Sequence, residues 1–317
     1  MMTRSPLLLL ALVLLPATKT FSQGCSDAGV CTAGPIGELE LLGDSLHAMP
    51  EPRHMARLTF SYAVGERSTT ITQGVLELGF GLTGRWGVQV KLPYQSASGD
   101  LGTNSGLGDP VITTSYDLMK RPGRRLTGLL GMKLPANDAS AEADDLDLPM
   151  PYQTSLGTTD LLLGLNYRHH RWNAALAYQH VLSQGNSNKF THDLWMDDMD
   201  ALGYFESWEL ERANDAVARI QYALPIGDLA IQPGLLAIYH LDQDTRLDST
   251  GTRVAVDGSD GLTLNLTIDA RYRLNDAWTL ELAYGSPMVV RDERPDGLTR
   301  SLVLNLALAY RFGTPRE

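Results

Sequence analysis

The sequence lacks most features that identify an enzyme or a helical membrane protein. After residue 16 no apolar run approaches the ~18–20 residues that a membrane-spanning helix needs. There is no Gly-x-Ser-x-Gly motif, no phosphate-binding loop and no zinc-ligand spacing. Lys and Arg number 26 against 37 Asp and Glu, giving a net charge of −11, which repels nucleic acid. We therefore expect no enzymatic activity, cofactor, metal site or nucleic-acid partner.

The seven histidines offer no catalytic arrangement, because a nucleophile needs a positioned base. His180 falls on the apolar parity of its segment. His240 is expected to point inward at a rim as a polar filler, and His169-His170 lie in a turn.

The N-terminus has the order of a secretory signal. Arg4 is a short basic region, Leu7 to Leu15 is apolar, and small or polar residues run from Pro16 to Ser22. This predicts a signal peptide over 1–22, cleaved between Ser22 and Gln23. Lipidation of Cys25 is the alternative, although Ser22-Gln23-Gly24 is a poor lipobox.

Only two cysteines occur, Cys25 and Cys31. A close pair in an exported protein favours a small disulfide loop over a metal site, which needs more ligands. Residues 23–55 are predicted to be a periplasmic N-terminal segment, either a tail or a plug that enters the barrel described next.

The C-terminal stretch shows strict alternation with a period of two residues. Leu302, Leu304, Leu306, Leu308, Tyr310 and Phe312 share one face, and Ser301, Val303, Asn305, Ala307, Ala309 and Arg311 share the other. Strands of soluble proteins typically run about five or six residues, so this segment is unusually long. Aromatic residues lie at strand ends on the apolar face, including Trp86 and Tyr94, Trp172 and Tyr178, and Trp278 and Tyr284. Length and aromatic placement predict a transmembrane strand with lipid on one side and a lumen on the other.

The same pattern predicts an all-β fold, a transmembrane antiparallel up-and-down β-barrel of twelve strands. The barrel spans 56–312 and leaves a C-terminal tail over 313–317. The strands are expected near 56–66, 70–82, 85–96, 107–119, 125–136, 157–169, 171–183, 212–224, 228–241, 260–274, 276–289 and 298–312. The eighth is the weakest because Asn214 interrupts its apolar face.

The connections support a location in the bacterial outer membrane. Short turns after the even strands alternate with long loops after strands three, five, seven and nine, as expected of periplasmic turns and extracellular loops. The connection after strand one is short where a loop is expected. The turns are rich in arginine and the loops in aspartate. Loop aspartates either keep the loops solvated or bind divalent cations.

One stretch resembles a known family. Leu92-Pro93-Tyr94 is followed by Gly106-Leu107-Gly108-Asp109-Pro110 and by Lys133-Leu134-Pro135. This order resembles outer-membrane β-barrels grouped under the meta-pathway of phenol degradation, although Ala136-Asn137-Asp138 follows where that family usually has glycine. The resemblance implies a transporter-like barrel for small, often hydrophobic or aromatic molecules. From the residues alone, a structural role of the motif is favoured over ligand contact, with proline tolerated near strand ends.

The inward parity collects charges of both signs. They are Arg57, Glu77, Lys91, Asp109, Asp117, Lys133, Asp160, Arg168, Asp215, Arg219, Asp269, Arg271, Arg273, Glu281 and Arg311. Buried charges must be paired or hydrated, so the lumen holds either a lattice of ion pairs or a polar path. About eight strands are filled by side chains and about sixteen leave a channel, so twelve predict a plugged or narrow interior.

The longest loop, 184–211, contains a candidate gate. Trp195, Met199, Leu202, Phe205 and Trp208 are apolar, and the last four recur at three-residue steps that suggest a short helix. An apolar stripe outside the membrane needs a partner, either the barrel rim or an apolar ligand.

These features predict passage of a small, hydrophobic or aromatic solute across the outer membrane. The alternative is a surface barrel that transports nothing and binds a partner through its loops or has a structural role. Outer-membrane lipid and the solute are the expected partners.

Overall fold

Twelve antiparallel strands form a closed barrel in a computed structural model that describes residues 54–195, 198–298 and 300–313. The twelve-strand prediction is confirmed. The barrel strands, numbered in chain order, are β1 His54–Val64, β2 Thr70–Gly81, β3 Trp86–Gly99, β4 Val111–Arg121, β5 Arg124–Lys133, β6 Thr158–His169, β7 Trp172–Gln184, β8 Asp215–Tyr222, β9 Leu229–His240, β10 Gly261–Arg273, β11 Trp278–Val289 and β12 Leu302–Phe312. Among the described residues, no helix is long and apolar enough to cross a membrane.

The first and last strands close the barrel. Arg57 of β1 is in register with Glu77 of β2 on one side and with Ala309 of β12 on the other. Each strand pairs antiparallel with its chain neighbours, so the topology is up-and-down. Closure leaves no strand edge, and the sheet's own hydrogen bonds satisfy the backbone as a lipid environment requires.

The two faces of the wall differ as the alternation predicts. On β12, Leu306 is 48% exposed and Leu308 is 40% exposed, whereas Ala307 and Ala309 between and beside them are buried. Exposed leucines, tyrosines and tryptophans continue around the outside of the barrel. A continuous apolar outer surface of this kind is suited to lipid and not to water.

The inner face has two halves. On β4 to β9 it carries a buried apolar cluster, formed by Val111, Leu129, Leu162, Ala175, Val217, Leu236 and Ile238. On β10 to β12 and β1 to β3 it carries buried charged residues instead, among them Arg57, Glu77 and Glu281. The apolar cluster is thus confined to β4 to β9, whereas buried charges occur on both halves, with Asp117, Lys133 and Asp160 on β4 to β6.

Strand β4 begins later than the sequence suggests. The strand predicted from residue 107 begins at Val111, because Gly102–Leu107 folds back as a hairpin on an extended β3. Pro93 consequently lies within β3 rather than near its end. The amide N–H of Gly108 donates to the carbonyl of Pro93 at 3.0 Å, which ties the hairpin to the strand.

Strand β8 is shorter than predicted, and Asn214, the residue that interrupts its apolar alternation, lies outside it. It covers Asp215–Tyr222, and a separate piece, Leu224–Ile226, continues the pairing with β9. Asn214 lies just before β8, and its side-chain oxygen accepts a hydrogen bond from the backbone N–H of Val181 at 2.9 Å. Val181 begins a bulge in β7, so Asn214 satisfies a donor that the irregular ladder would leave unpaired.

The two ends of the barrel are built differently. Short turns join the even strands to the following odd ones, and both described chain ends, His54 and Gly313, lie at this turn end. The other end, the mouth, carries six connections that we label L1 65–69, L2 100–110, L3 134–157, L4 185–214, L5 241–260 and L6 290–301. L1 is a short turn containing the 3-10 helix Glu66–Ser68.

Residues of three loops cover the mouth of the barrel. L2, L3 and L4 fold over the inward-facing Ala63, Ile71, Ala97 and Val303. We call the covering residues the lid: Leu101, Leu148, Tyr152, Phe190, Trp195, Ala201 and Tyr204. The predicted signal peptide over 1–22, most of the 23–55 segment with Cys25 and Cys31, and the end of the 313–317 tail lie outside the described residues.

Candidate functional site: the barrel interior and its covered mouth

A chain of ion pairs crosses the polar half of the interior. Lys91 Nζ lies 3.2 Å from Glu77, and Arg57 contacts Glu77 at 2.5 Å and Glu281 at 3.0 Å. Arg271 lies 3.3 Å from the second oxygen of Glu281. These five residues come from β3, β2, β1, β11 and β10, so charges of alternating sign bind one half of the wall together.

Small residues let this chain pass over intervening strands. Between Arg57 on β1 and Glu281 on β11 lies β12, whose inward residues are the buried Ala307 and Ala309. The same device operates where Arg219 of β8 reaches Asp269 of β10 at 2.6 Å. Between those strands lies Gly234 of β9, in register with Gln221 of β8 and Thr267 of β10, and it has no side chain to block the path. Small inward residues thus permit pairing between strands that are not neighbours.

A second group of ion pairs lies on β4, β5 and β6. Lys133 Nζ is 2.7 Å from Asp160 and 3.6 Å from Asp109, and all three side chains are at most 9% exposed. Nearer the turn end, Arg125 donates to Asp117 at 2.8 Å. Buried charges of this kind are stable only when paired, and here each carboxylate has a cation within reach.

Three predicted lumen residues lie near the turn end instead of the centre. Arg273 is exposed and forms an ion pair with Asp228 at 2.6 Å. Arg168 and Arg311 are half-buried, close to the ends of β6 and β12. These three residues follow the inward alternation of their strands, but they lie close to the turn end of the barrel.

The loop motif around Asp109 has a structural role, because its hydrogen bonds connect two loops of the mouth. Asp109 accepts hydrogen bonds from the backbone N–H groups of Ala136 at 3.0 Å and Leu156 at 3.2 Å. A Cβ at Gly108 would lie 3.1 Å from the ring of Pro93, so the close approach needs glycine. The motif joins β3 and L2 to both ends of L3.

The sequence analysis missed a buried network at the mouth. Asp296 of L6 lies 2.9 Å from Arg291 and 3.3 Å from Arg212 of L4. Arg212 in turn lies 3.1 Å from Asp215 at the start of β8. Burial alone would raise the pKa of Asp296, but the guanidinium groups of Arg291 and Arg212 outweigh burial and hold this pKa well below its usual value.

His240 completes this mouth network. Its Nδ1 lies 2.6 Å from Asp215 and its Nε2 lies 2.7 Å from Asp244 of L5, and Arg291 lies 3.8 Å from Asp244. Carboxylates only accept hydrogen bonds, so both contacts form when both ring nitrogens carry a proton. His240, which the sequence analysis expected to be a polar filler, is therefore an imidazolium. The mouth network then has three cations and three carboxylates and no net charge: Arg212, His240, Arg291, Asp215, Asp244 and Asp296.

The lid is held by hydrogen bonds among hydroxyl and amide groups. The hydroxyls of Tyr152 and Tyr204 lie 3.0 Å apart, and Tyr204 also pairs with the hydroxyl of Thr69 in L1 at 2.9 Å. Asn188 donates to the carbonyls of Ala139 and Leu148, both at 2.9 Å. These lid contacts between L1, L3 and L4 are neutral, whereas at the exposed surface Ser187 of L4 also donates to the carboxylate of Asp138 in L3 at 2.6 Å.

The predicted helical stripe in L4 is wrong. The segment contains two short 3-10 turns, His192–Trp195 and Ala201–Gly203, and no longer helix among its described residues. Trp195 is buried and donates to the carbonyl of Asp147 at 2.9 Å, while Met199 and Leu202 are exposed. The candidate gate residues thus do not share one face, because their partners are loop carbonyls and side chains that periodicity does not reveal. Phe205 lies under the guanidinium of Arg294 at 5.4 Å, and Trp208 is half-buried.

Glu66 of L1 is a further buried acid that the sequence did not indicate. It is 4% exposed and lies 3.4 Å from Arg294 of L6. Burial raises the pKa of Glu66 to about 7, against a smaller opposing effect of Arg294.

A cavity lies inside the barrel beneath L3 and L6. It is small, with a volume of about 50 Å³. Its walls combine apolar residues with charges of both signs: Val75, Val111, Met150, Leu156 and Leu298, the cations Lys91, Lys133 and Arg300, and the carboxylates of Asp109 and Asp296. Among the described residues, no group of three His, Cys, Asp or Glu is placed to hold a metal ion.

Comparison with known proteins supports the fold. The structure resembles the COG4313 outer membrane channel from Pseudomonas putida F1 with a TM-score of 0.58 and 18% identity, covering 87% of this chain and 100% of that one. The NanC porin gives a TM-score of 0.46 with 10% identity over 81% of this chain and all of that one. The translocator domain of the autotransporter NalP from Neisseria meningitidis gives 0.45 with 10% identity, over 85% and 91% of the two chains.

Of these three likenesses, the first exceeds a TM-score of 0.5, and at its identity it establishes the fold of an outer-membrane barrel alone. No family model matches the chain, and no curated protein matches it. The resemblance to the phenol meta-pathway barrels therefore remains a prediction.

Replacing Asp296 tests the mouth network. Asp296→Asn should leave Arg212 and Arg291 buried beside one fewer carboxylate, which destabilises by about 3–5 kcal/mol when a buried pair is broken. The midpoint of urea unfolding in micelles measures the effect. Asp292→Asn, at an exposed position on the same loop, is the matched control and should change little. Equal midpoints for the two variants would contradict the network.

Replacing Glu66 tests a pH dependence. Since the folded pKa is about 7 and the ordinary value is 4.5, the folded state binds more protons between these values. The free energy of unfolding should therefore fall as pH rises through this window, by at most about 3 kcal/mol. Urea unfolding of Glu66→Gln at pH 5 and pH 8 should lack this loss, whereas Glu142→Gln, exposed in L3, should retain it. A loss that persists unchanged in Glu66→Gln would refute the assignment.

Proposed function

We propose that the chain is an outer-membrane barrel through which a small solute with an apolar or aromatic body passes. The observation that carries this proposal is the cavity beneath L3 and L6, whose lining combines apolar side chains with charged ones. Once movement of L3 and L6 enlarges this cavity, an apolar body would contact Met150, Leu156 and Leu298, and a polar substituent would lie toward Lys91 or Lys133.

The interior argues for a small solute and against a wide pore. Asp160, Leu162 and Gln179 are fully buried on β6 and β7, and the charged chain occupies the opposite wall. A side chain that water cannot reach leaves no room for a broad aqueous channel at that point. Passage is therefore selective and needs side chains or loops to move.

The lid is the element that must move at the mouth. Its contacts with L1, L3 and L4 are neutral hydrogen bonds and apolar packing, which are individually weaker than the ion pairs of the mouth network. L5 and L6 are fixed to the strands by those ion pairs. We infer that the lid opens while the mouth network stays intact.

The second candidate function is a barrel that transports nothing and has a structural or partner-binding role. The observation that favours it is the extent of burial across the interior and the mouth. Transport measurements on the refolded protein separate the two.

Loosening the lid tests the transport proposal. Tyr152→Phe with Tyr204→Phe removes the hydroxyl contacts but keeps the rings that pack in the lid. Each lost hydrogen bond contributes about 0.5–1.5 kcal/mol, so the open fraction should rise several-fold. Liposome swelling with a panel of small aromatic and aliphatic solutes should show faster entry for the double variant.

Tyr239→Phe is the matched control, because Tyr239 lies on the exposed outer wall and its hydroxyl is far from the lid. It should behave as the wild type does. If neither the wild type nor the folded double variant admits any solute of the panel, the transport proposal fails and the structural role is favoured.

A further inference from the structure

The outer wall carries a groove where one residue lacks a side chain. In register, Trp86, Tyr116, Gly128, Leu165 and Leu176 form one outward row across β3 to β7. All but Gly128 are large and exposed. The row therefore has a gap at its centre, and the depression around it is open to the outside, with a volume of about 790 Å³.

The groove has space for an added group. A Cβ at Gly128 would lie 3.5 Å from the nearest atom, a methyl of Leu118. That is ordinary contact, so a closely packed wall does not explain why a side chain is missing here. Trp86 is oriented at the edge of the groove by its indole N–H, which donates to the hydroxyl of Thr114 at 2.5 Å.

A row of cations lies on the same face closer to the turn end. Arg121 is in register with Arg124, and Arg124 is in register with His169. Arg124 and Gly128 are four residues apart on β5, so they share the outward face at a separation of about 13 Å. Arg121 and Arg124 are exposed, and in the described parts of the chain neither forms an ion pair.

Acidic residues are missing around these cations. No Asp or Glu occurs within 118–131 or within 161–178, although the whole chain is acidic. The two turns and their flanks carry six positive residues, Lys120, Arg121, Arg124, Arg125, Arg168 and Arg171, of which Arg125 and Arg168 follow the inward parity and Arg125 pairs with Asp117. The surface below the groove therefore attracts anions.

We propose that this surface binds an anionic phospholipid, with an acyl chain in the groove at Gly128 and the phosphate on Arg121 and Arg124. Guanidinium groups form strong charge-assisted hydrogen bonds with phosphate. One leaflet of the hydrocarbon core is about 15 Å deep, so a chain that starts at the Arg121–Arg124 row reaches Gly128. Short turns face the periplasm in outer-membrane barrels, which puts the site in the inner, phospholipid leaflet.

Native mass spectrometry of the purified barrel tests the proposal, using phosphatidylglycerol and phosphatidylethanolamine with the same acyl chains. The wild type should retain phosphatidylglycerol several-fold more than phosphatidylethanolamine. Arg121→Gln with Arg124→Gln should abolish this preference, and Gly128→Leu should lower the retention of both lipids. Equal retention of the two lipids by the wild type would overturn the proposal.

Two matched controls come from the chain itself. Gly74→Leu adds a side chain to the outer wall away from the groove, where Gly74 faces open space. Arg273→Gln removes an exposed cation at the same end of the barrel. Neither should change lipid retention. If they lower it as much as the groove variants do, binding is not specific to the groove and the proposal is wrong.

Fluorescence quenching of Trp86 in the wild type tests the proposal without substitutions at Gly128, Arg121 or Arg124, so it does not depend on the folding of those variants. Phosphatidylglycerol brominated on its acyl chain should quench Trp86, whose contribution is the difference between wild type and Trp86→Phe. Quenching should be several-fold stronger than with brominated phosphatidylethanolamine. Equal quenching by both lipids would contradict the proposal even if every other variant failed to fold.

Discussion

Closure of the sheet is the constraint on which the rest of the molecule depends. Lipid offers the backbone no hydrogen bonds, so all twelve strands must pair on both sides, and β1 must meet β12. Once the ring is closed, each strand has one face toward lipid and one face inward. The outward positions become apolar, and the inward positions must hold whatever charge the chain contains in paired form.

The interior satisfies that requirement by alternating large charges with small residues. Arg57 reaches Glu281 because β12 presents alanines between them, and Arg219 reaches Asp269 past Gly234. At the mouth the charged pairs join loop residues to Asp215 of β8 and His240 of β9, and they thereby fix L5 and L6 to these strands. The lid above the cavity is neutral and joins L1 to L4. The mouth network, which is held by ion pairs, thus lies beside the lid, whose hydrogen bonds are weaker.

The sequence predicted what depends on local periodicity. Twelve strands, their order and the inward parity of Arg57, Glu77 and Lys91 follow from alternation, because lipid imposes a period of two on each strand separately. The mouth network was not predictable in this way, since Arg212 and Asp296 are 84 residues apart and neither lies in a strand. The stripe Met199 to Trp208 suggested a helix, but irregular loop contacts determine that segment. Asn214 was a blemish in the pattern and is explained by the bulge beside it.

Accessibility along β12 tests the central claim most directly. In a variant with Cys25 and Cys31 replaced by serine, spin labels at single cysteines from 303 to 308 can be measured in liposomes against lipid-soluble oxygen. The account predicts strict alternation, with high oxygen accessibility at 304, 306 and 308 and low accessibility at 303, 305 and 307. Uniform accessibility, or a period near 3.6 residues, would contradict a closed barrel with one face in lipid.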